Sequence, residues 1–65
     1  MKNTNNNEVV RLIYSVLNSS DEIVRRGWIS GSFDSSMPYI EMIDELLEQA
    51  YEKEEIEGEW SIVEA

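Results

Sequence analysis

Three observations predict an all-α fold, a small three-helix domain with helices at about 6–18, 20–26 and 37–56. Apolar residues recur at helical spacing in the first and last of these segments. Asn5 with Glu8 and Ser19 with Glu22 have the spacing of capping boxes, and Ser35 or Ser36 before Pro38 offers a third helix start. The 65-residue chain has no cysteine, so no disulfide framework replaces a helical core.

Residues 1–5 read as a frayed polar lead. In the first predicted helix Val9, Leu12, Ile13, Val16 and Leu17 share one face, opposite Arg11, Ser15 and Asn18. The second is two turns long. Asp21 and Glu22 suit its positive end, Arg25 and Arg26 its negative end, and Gly27 stands just past its cap. Ile23 and Val24 then turn inward. Glycine and serine between Trp28 and Ser36 signal a loop whose Trp28, Ile29 and Phe33 plug the end of a small core.

The third helix is the platform of this fold. Tyr39, Ile40, Met42, Ile43, Leu46, Leu47 and Ala50 span about 160° of its circumference at ~100° per residue. Gly58 reads as its terminator, and Trp60 to Val63 alternates weakly like a strand. The alternative architecture is α+β, with a short strand pair formed by 28–33 and 60–63. In either case residues 1–65 make one small acidic domain, with 64–65 frayed at its end.

Charge is distributed unevenly. Residues 1–36 carry four acids and four bases, whereas 37–65 carry ten acids and only Lys53, so the second half holds the whole formal charge of −9. Six of those acids, Glu41, Asp44, Glu45, Glu48, Glu52 and Glu55, fall in a band about 100° wide on the third helix. Over about 21 Å of axial rise this is one carboxylate per 3.5 to 4 Å, close to the ~3.4 Å phosphate spacing of a DNA strand. Like charges at spacings of three and four cost about 1–3 kcal/mol in low salt. An acidic face also arises with no ligand at all, because glutamate is a good helix former.

Several function classes are disfavoured. Without histidine or cysteine there is no common general base, no thiolate and no ordinary zinc site. The window Asp34 to Glu45 has acids at both ends, but Tyr39 stands where a calcium loop needs glycine. Exposed carboxylates lack the raised pKa of a general acid, and so small a bundle has no room for a substrate cleft. We therefore expect no enzyme, no cofactor and no metal. An acidic chain with no long apolar run predicts no direct nucleic-acid contact, no membrane association and a cytoplasmic setting.

The reading is a binding protein. The stripe Glu41, Asp44, Glu45, Glu48, Glu52 and Glu55 would occupy the phosphate groove of a basic, nucleic-acid-binding protein. That is the behaviour of DNA-mimic inhibitors from phages and mobile elements, including anti-restriction and anti-CRISPR proteins; the likeness is one of charge and size. The competing class is an adaptor or homodimer that binds through apolar surface, and an antitoxin or immunity protein lies between the two. Arg25, Arg26 and Trp28 read as helix-terminal charges plus a core tryptophan.

Overall fold

The computed structural model describes residues 7–65 and shows an antiparallel sheet with one helix across it. The elements are β1 (Asn7–Leu17), β2 (Ile23–Asp34), α1 (Tyr39–Glu54) and β3 (Ser61–Glu64). The sheet order is β2-β1-β3, so β1 is central. In the register Leu12 faces Ile29 and Tyr14 faces Gly27 across β1–β2, while Val16 faces Ile62 across β1–β3.

This corrects the all-α expectation. In place of the two helices predicted at 6–18 and 20–26, residues 7–17 and 23–34 form the two long strands of a hairpin. Strand β1 is apolar at seven of its eleven positions if Tyr14 is counted, so both helical and alternating templates fit it. Its density of Val9, Val10, Ile13, Val16 and Tyr14 favours the pleated conformation, where β-branched and aromatic side chains pack without rotamer loss. The α+β alternative fails in its pairing. Segments 28–33 and 61–64 are both extended, but each pairs with β1, on opposite edges. Glu64 lies in β3 and the Ala65 N–H donates to the Ile13 carbonyl at 2.8 Å. The proposed Asn5 cap and the frayed lead 1–5 lie outside the described residues.

The serine–acid cluster between the strands makes a turn rather than a helix start. The Asn18 side-chain oxygen accepts the N–H groups of Ser20 and Glu22 at 2.9 and 3.0 Å, and Asp21 takes a left-handed φ of 63°. These residue types cap helices and close turns through the same side-chain-to-backbone bonds, so local sequence does not separate the two outcomes.

Alternation divides the sheet into two faces. Val10, Leu12, Tyr14 and Val16 of β1 point toward α1 with Ile29 and Phe33 of β2 and Ile62 of β3. Met42, Ile43, Leu46 and Ala50 meet them from the helix. The glycines of β2 make that contact close: a Cβ at Gly31 would stand 3.1 Å from Leu46, and one at Gly27 only 2.7 Å from the Tyr14 hydroxyl. Gly27, read from sequence as a helix terminator, thus makes room for a tyrosine.

Helix α1 begins one residue after Pro38, whose carbonyl accepts the N–H groups of Glu41 and Met42. It ends at Glu54, four residues before Gly58, and is capped by Glu55, which adopts φ 56°, ψ 47°. The Glu55 and Ile56 N–H groups return to the carbonyls of Glu52 and Tyr51, the paired bonds of a Schellman motif. At 16 residues α1 is the longest helix described, and no described helix is long and apolar enough to cross a membrane.

Candidate functional site

All six stripe residues are exposed, five of them on the side of α1 turned away from the sheet. Burial of Met42, Leu46 and Ala50 fixes the rotation of the helix, which leaves Glu41, Asp44, Glu45, Glu48 and Glu52 on the outside over about 16 Å of axis. Glu55 departs from the regular band because it is the left-handed residue that ends the helix. Beyond it, Glu57 and Glu59 line an open depression of about 420 Å³ with Ser19, Gly58 and Trp60. A cation entering there meets two carboxylates and an indole.

The cations of α1 and β2 do not neutralise the stripe. Lys53 reaches over the edge of the sheet, where its ammonium donates to the Trp28 carbonyl at 3.0 Å. Arg25 is held by Glu54, Nε to Oε1 at 2.8 Å, and this is the one ion pair among the described residues. Glu54 also accepts the Tyr14 hydroxyl at 2.5 Å. That hydrogen bond, aided by Arg25, holds the Glu54 carboxyl below its ordinary pKa against the opposing effect of desolvation. Glu54 is therefore committed to the fold, and the stripe is made of carboxylates that are not.

The structure separates Arg25 from Arg26 and Trp28, read from sequence as helix-terminal charges plus a core tryptophan. Arg25 faces the helix, while Arg26 and Trp28 lie on the opposite face of the sheet, which no described element covers. Trp28 is 54% exposed and so is not a core residue. Arg11 of β1 stacks over its ring, 4.8 Å from the centroid. This second surface was missed because a helical reading puts Arg11 and Ile13 on different sides, whereas a strand puts Val9, Arg11 and Ile13 on one.

The arrangement offers binding chemistry on two faces: an acidic helix surface and, behind the sheet, an apolar surface set with two arginines. The described residues contain no group of three or more side chains suited to hold a metal ion. Comparison with protein-family models, with curated proteins and with solved structures finds no match to this chain.

Proposed function

We propose that this chain is a small cytoplasmic inhibitor that binds a basic, nucleic-acid-binding protein and blocks it with the carboxylates of α1. The observation that carries this reading is the segregation of charge. Five carboxylates stand in line on the exposed side of the helix with no ion pair among the described residues, while Arg25 and Lys53 are engaged elsewhere. An ordinary solvent face would intersperse lysines and recover the repulsion. The spacing resembles that of a phosphate backbone, and a basic groove would recover in binding what the isolated helix loses in repulsion.

The test is capture by the tagged full chain from a lysate of its own host at about 0.1 M salt, where exposed charges still interact. A variant carrying Glu41→Gln, Glu48→Gln and Glu52→Gln runs beside it. Recovery of a nucleic-acid-handling protein by the parent and not by the variant supports the stripe as the binding surface. Equal recovery by both, or a complex that survives 0.5 M salt unchanged, removes it.

A further inference from the structure

The face of the sheet turned away from α1, which no described element covers, has a composition of its own. Val9, Arg11 and Ile13 of β1, Arg26 and Trp28 of β2, and Val63 of β3 all point to it by alternation. The apolar members are far from buried: Val9 is 80% exposed, Ile13 57%, Trp28 54% and Val63 42%. Around Trp28 lies a depression of about 290 Å³ lined by Arg11, Ile13, Arg26, Gly27 and the indole. Exposed apolar side chains grouped on one face and rimmed by polar residues mark interaction sites.

The charges on this face are equally unusual for the chain. Acids outnumber bases by 14 to 5, yet neither Arg11 nor Arg26 has a carboxylate partner among the described residues. The carboxylate at the far end of this face, Asp34, accepts the Ser36 N–H and hydroxyl on one oxygen, Oδ1, both at 2.9 Å, and pairs with neither arginine. Arginine and tryptophan are among the residues that carry most of the binding energy at protein interfaces.

The opposite face shows what such a surface accepts. There α1 lays Met42, Leu46 and Ala50 on the sheet and sends Glu54 to Arg25 at the margin. Arg25 and Arg26 are neighbours on β2, so one strand presents an arginine to each face. One of them has its carboxylate and the other does not. We infer that the open face is a docking surface for an amphipathic helix of a partner protein, apolar along its centre with carboxylates at its margin. Its carboxylates would pair with Arg11 and Arg26 while its apolar residues cover Ile13, Trp28 and Val63, completing a helix–sheet–helix sandwich.

Two other occupants fit less well. A second copy packed face to face would bring four arginines together with only the end carboxylate, Asp34, of each copy to meet them. A nucleic acid would meet two arginines on a chain of net charge −9. This surface is independent of the stripe on α1, so either proposal stands if the other fails.

The probe is a synthetic lactam-stapled helix of about four turns with an apolar stripe flanked by glutamates, beside the same peptide with lysines there. Titration into the isotope-labelled full chain is followed by amide and indole resonances. The glutamate peptide is expected to shift the Trp28 indole and the Arg11, Ile13 and Arg26 amides in a saturable way, leaving the Trp60 indole in place. The lysine peptide should bind the parent at least about ten-fold more weakly. Arg11→Glu with Arg26→Glu, both exposed, should reverse that preference without changing the thermal midpoint by more than a few degrees. The absence of saturable shifts at ~1 mM peptide, or an equal response to both peptides, overturns the inference. Shifts of the same resonances with protein concentration alone, at a mass twice 7.6 kDa, overturn it in favour of a second copy.

Discussion

Tyr14 joins the three main elements through one hydroxyl. Its ring crosses Gly27 on β2, and its oxygen donates to Glu54 near the end of α1, beside Arg25. Burial, and next the hydrogen bond to Glu54, push its pKa up to about 12 from 10. Below pH 10 both folded and unfolded chains keep this proton. Between pH 10 and about 12 the unfolded chain loses it first, so stability falls as pH rises through that window. Tyr14→Phe should remove this alkaline contribution and cost about 1–2 kcal/mol at pH 7, read by circular dichroism from pH 7 to 12. An unchanged alkaline limb in the variant would show that Tyr14 does not carry it. Glu54 acts in the opposite direction. Its lowered pKa gives stability that is present at neutral pH and lost as pH falls through the folded-state value.

The helix also manages both edges of the sheet. Lys53 donates to the Trp28 carbonyl on the outer edge of β2, and the Tyr51 hydroxyl accepts the Ile62 N–H on that of β3, at 3.0 Å. Unpaired edges invite intermolecular pairing, and these contacts occupy part of each. The end of α1 carries a conformational penalty, because Glu55 holds a left-handed backbone better suited to glycine. Glu55→Gly should stabilise the fold by about 0.5–1 kcal/mol, a rise of about 3–6 °C in the thermal midpoint. A fall in midpoint would mean that the Glu55 side chain contributes more than its backbone costs. Of the elements, α1 was legible in advance, its structure at 39–54 lying within the expected 37–56. Its signals are local: a proline at its start and an apolar stripe of one period. The hairpin was not legible, because residues 18–27 carry serine, acid, arginine and glycine in an order that suits a cap as well as a turn.

For the whole molecule the governing feature is that opposite charges collect on opposite sides. The lined-up carboxylates of α1 repel one another at Glu41–Glu45, Asp44–Glu48 and Glu48–Glu52 and at the shorter three-residue spacings. Glu41→Gln, Glu48→Gln and Glu52→Gln together should stabilise the free protein by about 1–2 kcal/mol in low salt, with the gain fading toward 0.5 M salt. A destabilised triple variant would show that these carboxylates make favourable contacts in the folded chain. That Glu41, Asp44, Glu45, Glu48 and Glu52 share the exposed side of one helix was legible from sequence, because charge and helical period are both local properties. The open sheet face was not. Arg11 of β1 and Trp28 of β2 are 17 residues apart and meet only because the strands pair in one register. By itself the sequence determined the acidic helix, its exposed side and the accumulation of charge there. Tertiary structure alone decided that residues 7–17 and 23–34 are strands, since a segment apolar at most positions satisfies either period until a neighbour supplies hydrogen bonds along its edge.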